Sequence, residues 1–548
     1  MPAFEITHFN GGISDFDDRG IKGAFKFGSG LDIRKQVDSL SCKQALVDIG
    51  APLNGSYSAS RSPSASSSPS ASASPSISAS ISPSASVSPS AGGSSSRSPS
   101  ASASPSASLS PSASLSPSNS VSPSPSPSAG IASTFHDLVR FFVEASDGNT
   151  YGFGNTGRVY KITSEFVVTQ VYNAGKPIKG AEEKPSSSGK TYLLFATNTE
   201  LHRKELPGLS NWNDVNTRGT VQGDEWPKTN LQSADWHTMK LVNGDVHIAN
   251  KNLIAASYYD DSYTNEALQL YPGKIAKTIV ERNGRAIYGT VPSNNPAKGI
   301  NGAIDCEVPL AQIGDDGEIF YSDMVSTIPV KRFPGGGIVN PGGVCNEVEQ
   351  ADFFEWDGLA STYIDKQAVG NLSLWGVYGG DSGKNGVYSL GRKSKNSPFT
   401  LNLDYLLEVD EIGAITHVNG VAMISYRSGV DFGVKITDLN VKAQGVYEGI
   451  DLKSPIKKSI QITPWNTVEL FMKPLPSGCS VQFHYKTNKT GNFTQANTVD
   501  GDTDFDTVGG KKVVFRINAE AEIFEPKIVL VPSANLTPEV YRVRINFT

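Results

Sequence analysis

Short runs in which apolar and polar residues alternate recur from about Thr134 to Ile450, separated by two-residue turn signals. FFVEASDGNTYGFGNTGRVYKIT, residues 141–163, holds three such runs around Asp147-Gly148 and Asn155-Thr156-Gly157. Asn243-Gly244, Asn283-Gly284, Asp316-Gly317, Asp357-Gly358 and Asn419-Gly420 mark further turns of the same kind. A period of two makes one side of an extended chain apolar, and Asn-Gly or Asp-Gly supplies the positive φ angles of a tight hairpin. No stretch keeps a 3.6-residue period between helix caps, so the pattern predicts an all-β chain. Roughly 320 residues of hairpins exceed one sandwich, whereas six or seven four-stranded blades of about 40–50 residues would arrange them as a β-propeller-like body over 134–453. Two stacked β-domains are the rival arrangement.

Residues 454–548 repeat the alternation on a smaller scale. In CSVQFHYKT, Val481, Phe483 and Tyr485 share one side, with Gln482, His484 and Lys486 on the other. In VYRVRINFT, Tyr541, Val543, Ile545 and Phe547 oppose Arg542, Arg544 and Asn546. Such half-buried strands predict a C-terminal β-sandwich. Near the start, Phe25, Phe27, Leu31 and Ile33 alternate in GAFKFGSGLDIR, but a segment this short buries little core alone. Residues 1–55 are therefore expected to dock as extended chain on the body or on a neighbouring subunit.

A different composition interrupts this texture. From Ser56 to Ser128 the chain repeats PSAS with PSLS, PSIS and PSVS variants. Proline fixes φ and removes a donor, serine solvates the backbone, and few apolar groups offset the entropy of ordering. Residues 56–133 thus read as a long disordered insert with polyproline-II bias, spanning about 50 Å as a coil and roughly 220 Å extended. Two roles suit it: a tether that lets the N-terminal segment bind away from the body, or a tolerated insertion at a surface loop.

Charge and cysteine usage narrow the function classes. The net charge is −6 with lysine and arginine scattered, which does not match a nucleic-acid footprint. Cys42, Cys306, Cys345 and Cys479 form no CxxC pair; Cys306 and Cys345 could meet in space, but buried free thiols are the expectation. No apolar run approaches the length of a membrane span. MPAFEITHFNGGISDFDD lacks the basic and apolar regions of a signal peptide, which predicts folding in a cytoplasm.

Candidate chemistry is sparse. Ser382 lies in GGDSGKNG, a string like that around a protease nucleophile, but His136, His202, His237 and His247 have no matching setting, and the string is a natural turn. A two-residue hairpin at Asn243-Gly244 pairs Lys240 with His247 and His237 with Asn250, so the two imidazoles do not face a common metal. Asp500, Asp502 and Asp504 match the first, third and fifth positions of a calcium loop; Phe505 and Lys511 break that pattern at the sixth and twelfth, leaving an irregular calcium candidate. Asp260, Asp261, Glu355 and Asp357 suit a propeller mouth and equally suit ordinary loops, and for Tyr258, Tyr259 and Tyr263 core or strand-edge packing is favoured over a glycan-stacking patch. No Walker loop, dinucleotide fingerprint or HExxH is present. No catalytic residue and no cofactor are therefore expected.

Several stretches resemble tailed-bacteriophage virion proteins. FNGGISDFDDRGIKGAFKFGSGLDIRKQVDSLSCKQAL is similar to N-termini of phage structural proteins that pass from a Gly-Gly-Ile segment into a Leu-Asp-Ile-Arg strand. GVYSLGRKSKNSPFTLNLDY, YRSGVDFGVKITD and PLPSGCSVQFHYKTN resemble segments of large tail-region proteins, as does the Ser/Pro/Ala insert. The resemblance implies a propeller-like body and a non-enzymatic structural place in the virion, in the tail, with synthesis in the host cytoplasm. The expected partners are other virion proteins and further copies of the chain, with a host-surface glycan as a candidate. The alternatives are a glycan- or receptor-binding adhesin module and a capsule-degrading propeller glycosidase.

Overall fold

The computed structural model describes residues 3–9, 12–13, 24–33, 39–49, 135–207, 226–234, 236–282, 285–292, the short strands between 303 and 339, 372–391, 400–418, 421–453 and 462–548. The Ser/Pro/Ala tract, Cys306, Cys345, Glu355 and the Asp357-Gly358 turn lie outside these residues. The described chain is all-β, as its alternation predicts.

Seven antiparallel meanders follow one another. The first is built from Val139–Glu144, Thr150–Gly154, Arg158–Ile162 and Val168–Asn173, the second from Gly180–Pro185, Thr191–Ala196 and Leu201–Leu206. The third comprises Met239–Val242, Asp245–Asn250, Leu253–Ser257 and Tyr263–Gln269; the fourth, Lys274–Arg282, Arg285–Pro292 and Ala303–Ile304. Leu310–Ile313, Glu318–Ser322 and Thr327–Arg332 make the fifth, and Ile338–Val339, Leu372–Tyr378, Gly386–Gly391 and Thr400–Leu406 the sixth. The seventh, Glu411–Val418, Val421–Ser428 and Asp431–Lys442, takes its fourth strand, Gln44–Asp48, from the N-terminal segment. Turn chemistry sets several registers. Asn243 and Gly244 have φ of 51° and 93°, and the two-residue loop pairs Val242 with Asp245 and Lys240 with His247. Arg282 pairs with Arg285 and Val418 with Val421 across two further two-residue loops.

The first to fourth meanders pack in succession, as do the sixth, the seventh and the first, which makes the body propeller-like. Thr191–Ala196 shows the rule: Leu193 and Phe195 join Phe141, Phe153 and Val159 of the first sheet, while Leu194 and Ala196 join Met239, Val246 and Ile248 of the third. Both faces are covered, so this strand reads YLLFA instead of alternating with polar residues. Strand Glu411–Val418 lies against Val139–Glu144, and Met423, Val434 and Ile436 share a core with Val139, Tyr160 and Ile162. The last sheet thereby meets the first.

The C-terminal strands form a sandwich. Ala3–Ile6, Val540–Phe547, Thr463–Met472, Lys512–Ala521 and Asn497–Thr498 make one sheet. The opposing strands, Phe27–Ser29, Gly445–Glu448, Ile523–Val531, Ser480–Thr487 and Thr494–Gln495, continue the sixth meander, because Phe27–Ser29 pairs with Thr400–Leu406 on one side and Gly445–Glu448 on the other. Trp465, Phe483 and Phe524 stack in the core, with Trp465 and Phe524 at 4.8 Å between ring centroids. The sandwich thus extends beyond 454–548. It takes Gly445–Glu448 and Leu452–Lys453 from the end of the body, and Ala3–Ile6 and Phe27–Ser29 from the N-terminal segment. Unpaired, the edges of these strands would leave backbone donors without acceptors.

This stitching changes the reading of the tract. The N-terminal segment does not bind at a distance: Phe25, Phe27, Leu31 and Ile33 are all buried in the sandwich core, and Gln44–Asp48 closes the seventh meander. Ile49 and Phe135, at either end of residues 50–134, belong to the same hydrophobic cluster between the seventh and first sheets. The tract is therefore an insertion whose two ends are anchored at one seam. Closing such a loop costs an entropy that grows only with the logarithm of its length.

The seam between the two bodies is polar at its centre. Lys43, in the N-terminal segment, makes a fully buried ion pair with Asp404 of Thr400–Leu406. Asp404 also accepts hydrogen bonds from Ser389 Oγ and Asn402 Nδ2, both at 2.7 Å, and the same Asn402 amide donates to Leu31 O at 3.0 Å. Lys43 lies over the Tyr405 ring.

The predicted sandwich core holds for Val481, Phe483, Val543, Ile545 and Phe547, all buried, with Tyr485 packed at its edge. Two positions differ. Tyr541 is exposed and Val540 points inward, because the register shifts between Phe471 and Met472: Phe471 pairs with Arg542 but Met472 with Val540. The skipped residue reverses the side on which the strand's first residues fall. Asn546 is buried, since Ala3 of the added strand Ala3–Ile6 and Thr467 flank it, and its amide donates to Thr467 Oγ1 at 3.0 Å.

The packing makes the two sides of one strand unequal. Phe483→Ala should lower stability by about 3–5 kcal/mol. Gln482→Ala, which removes the hydrogen bond from Gln482 Nε2 to Asp504 and the contact of Gln482 Oε1 with His484 Nε2, should cost about 0.5–1 kcal/mol. Urea denaturation of the full chain measures both, and equal losses would show that the buried side has been misassigned. At the seam, Lys43→Met should cost roughly 3–5 kcal/mol by leaving a buried carboxylate without its cation. Adding Asp404→Leu should recover part of that loss in a double-mutant cycle.

Candidate functional site

The sequence candidates have structural occupations. Ser382 is exposed in the turn between Leu372–Tyr378 and Gly386–Gly391. Asn385 and Glu408 hold that turn: Gly380 N donates to Asn385 Oδ1 at 2.8 Å, and Asn385 Nδ2 and Gly383 N both donate to the Glu408 carboxylate. Asp261 is taken by Lys184 Nζ and Ser186 Oγ, both at 2.6 Å. Burial would raise its carboxyl pKa, but these two donors outweigh that and hold it below the usual range. Tyr259 is exposed, while Tyr263 packs against Trp226. Cys42 and Cys479 are buried free thiols in the sandwich core, and burial pushes Cys42 up to about 11.

The calcium candidate does not assemble. Asp504 accepts hydrogen bonds from Gln482 Nε2 at 2.9 Å and Gln495 Nε2 at 3.1 Å. Asp500 and Asp502 are exposed in a loop tied by Thr498, whose N–H donates to Asp502 O at 2.7 Å. Asp504 is thus drawn into the sheet by two amides, away from its neighbours. Among the described residues no group of three or more His, Cys, Asp or Glu converges as metal ligands.

The site that does assemble is one that sequence reading missed. In an antiparallel meander, the segment entering the first strand and the turn joining the second and third strands lie at the same end. In the second sheet these are the residues before Gly180 and the turn after Ala196; in the third, the residues before Met239 and the Lys251-Asn252 turn; in the fourth, the residues before Ile275. They surround a cavity of about 880 Å³ whose lining includes Lys179, Lys251, Lys274, Asn198, Asn252 and Trp236.

Close approaches fix this rim. Gly180 lies so near the strand before Met239 that a Cβ there would stand 1.7 Å from His237 O. His237 N donates to Lys179 O at 2.7 Å, and Lys179 N donates to Ala196 O at 2.7 Å. Lys251 adopts φ of 56° in its turn, and its carbonyl accepts Ala276 N at 2.8 Å. Trp236 Nε1 donates to Ala276 O at 2.7 Å, so the indole bridges the third and fourth sheets. Asn198 Oδ1 accepts from Ser233 Oγ at 3.0 Å and Ala234 N at 3.1 Å, which ties the second sheet to the entry of the third.

The cavity is basic. Among the described residues no carboxylate lines it, and none of Lys179, Lys251 and Lys274 has an acidic partner; Asp235, between Ala234 and Trp236, lies outside the described residues. Behind the rim, His237 is fully buried, with Nδ1 2.8 Å from Ala249 O and Nε2 2.9 Å from Asn198 O. Burial lowers its pKa, the two carbonyls resist that shift, and the positive charges of Lys179 and Lys251 add to it. His237 is thus committed to backbone carbonyls, while His247 Nδ1 lies 2.6 Å from Tyr288 OH. The two histidines are therefore apart, as the hairpin register predicts.

No family model matches the chain, and no curated protein matches it. Among solved structures, a streptogramin B lyase is 10% identical, covers 56% of this chain and 95% of its own, and superposes with a TM-score of 0.32. The WD40 repeats of RRP9 are 13% identical over 56% of this chain and 99% of theirs, with a TM-score of 0.34. A family 43 arabinoxylan arabinofuranohydrolase from Bacillus subtilis is 10% identical over 75% of this chain and 95% of its own, with a TM-score of 0.25. Likenesses of this depth say nothing about chemistry; the architecture stands on the sheet order and packing above.

A pH dependence follows from the buried imidazoles. His237, His247 and His484 are each lowered from 6.5, first by burial. The unfolded chain therefore takes up protons that the folded chain refuses. Stability is fully present above about pH 6.5 and is lost as pH falls below it, by up to about 1.4 kcal/mol per pH unit for the fully buried His237. His247 and His484 reach water and contribute less, because solvent screens their charged forms. Glu144 and Glu183, both raised from 4.5 by burial, act in the opposite sense just above that value. Thermal melts from pH 7.5 to 5.5 should show a falling midpoint, and His237→Gln should flatten the slope.

Proposed function

We propose that the chain is a non-enzymatic structural component of a tailed-bacteriophage particle, placed in the tail and contributing to host attachment. The reading rests on the resemblance of the opening segment and of the stretches around residues 387, 425 and 475 to tail-region proteins. The observation that carries it furthest is the way residues 3–49 join the two β bodies through strands in three sheets. Phe27–Ser29 makes the sixth meander and half of the sandwich one continuous sheet, a construction suited to a part that bears load between its neighbours. Its partners in this reading are other virion proteins and further copies of the chain, and it is made in the host cytoplasm. The candidate catalytic groups fit a non-enzymatic role, since Ser382 occupies a turn and Asp261 neutralises a buried lysine.

Mass spectrometry of purified phage particles tests the proposal. The expected result is this chain in several copies per particle, at a fixed ratio to the major tail protein. Its presence in infected-cell lysate but absence from washed particles would overturn it.

A further inference from the structure

We propose that the cavity bounded by Lys179, Lys251 and Lys274 is a binding site for an acidic oligosaccharide, a sugar chain bearing carboxylate or phosphate groups. The inference stands on the residues of the cavity and holds whether or not the chain belongs to a particle.

The volume, about 880 Å³, lies within the range of sites that enclose small ligands. Its charge selects the ligand's sign. Among the described residues three lysines and no carboxylate line the cavity, in a chain whose net charge is −6, and three cations outnumber even a single acid at the undescribed Asp235. Three lysines elsewhere are neutralised by carboxylates: Lys43 by Asp404, Lys184 by Asp261 and Lys435 by Asp48. Clustering three cations without a counter-charge raises the energy of the free protein, and an anion entering the cavity relieves it.

The remaining lining selects a sugar. Asn252 and Asn198 present amides at the rim, which suit hydroxyl groups that both donate and accept. Ile275 and the edge of the buried Trp236, fixed through its Nε1, give the cavity an apolar border beside those amides, a mixed lining that suits the apolar and hydroxyl-bearing sides of a pyranose. Lysine, a mobile point charge, accommodates acidic groups placed at intervals along a chain better than a fixed guanidinium fork does. The three lysines come from the entries of the second and fourth sheets and the middle turn of the third, so they spread across the rim and suit an oligomer.

Isothermal titration of the full chain with four probes tests the site: tetragalacturonate, a phosphorylated tetrasaccharide, neutral galactotetraose and tripolyphosphate. The expected result is saturable binding of one or both acidic sugars, weakening with added salt, and none of galactotetraose. The two acidic probes distinguish carboxylate from phosphate as the recognised group. Lys251→Asn, which suits the left-handed turn, and Lys274→Gln should each weaken binding about tenfold or more. Lys511→Gln, an exposed change in the sandwich, should leave it unaltered. Circular dichroism melts of each variant establish that it is folded. Failure of both acidic sugars to bind at millimolar concentration would overturn the proposal. So would equal binding of galactotetraose, tripolyphosphate binding in place of the sugars, or acidic-sugar binding unchanged in both lysine variants.

Discussion

The buried pairing of Lys43 with Asp404 is the contact on which the joining of the two bodies turns. A lysine ammonium and a carboxylate removed from water are tolerable only together and only when their remaining hydrogen-bonding capacity is met. Here Ser389 and Asn402 complete the carboxylate, and Asn402 reaches on to Leu31 O. The pair thereby holds the N-terminal segment in one place against the sixth meander. With that segment in position, Phe27–Ser29 can bridge two sheets and Gln44–Asp48 can close a third. An apolar pair would hold the segment by area alone, which is less selective for register.

The same economy of edges runs through the rest of the molecule. The first four meanders, and the sixth and seventh, share apolar cores with the sheets beside them, so their loops gather at the ends of the sheets. At one end, loops of the second, third and fourth sheets are drawn together by Trp236 donating to Ala276 O and by His237 donating to Lys179 O. These contacts are structural, yet they determine which side chains surround the cavity. The lysines stand at its rim because the backbone they belong to is needed there for sheet-to-sheet contact.

The long Ser/Pro/Ala segment fits this economy too. Its two flanks, Ile49 and Phe135, are packed in one cluster where the seventh and first sheets meet. That is where the last meander meets the first, next to the end of the N-terminal strand Gln44–Asp48. An insertion there disturbs no pairing within a sheet, and its length enters stability only weakly.

Period-two alternation and turn residues are local, and what they encode was legible in the residues themselves. The all-β character, the hairpin at Asn243-Gly244, the separation of His237 from His247 and the core positions Val481, Phe483, Val543, Ile545 and Phe547 follow from nearest-neighbour stereochemistry and from burial on one side of a strand. The irregularity at Tyr541 did not, because a register shift depends on the partner strand Thr463–Met472, not on the strand that carries it. Nor did the fate of the N-terminal segment, since a short strand shows an apolar side without showing which sheet edge needs it; Lys43 finds Asp404 across 361 positions. Lys179, Lys251 and Lys274 read singly as solvated loop lysines, and Asp500, Asp502 and Asp504 read as a cluster. Tertiary structure reversed both, because the stacking of meanders brings distant turns to one end while two glutamines draw Asp504 away from its neighbours.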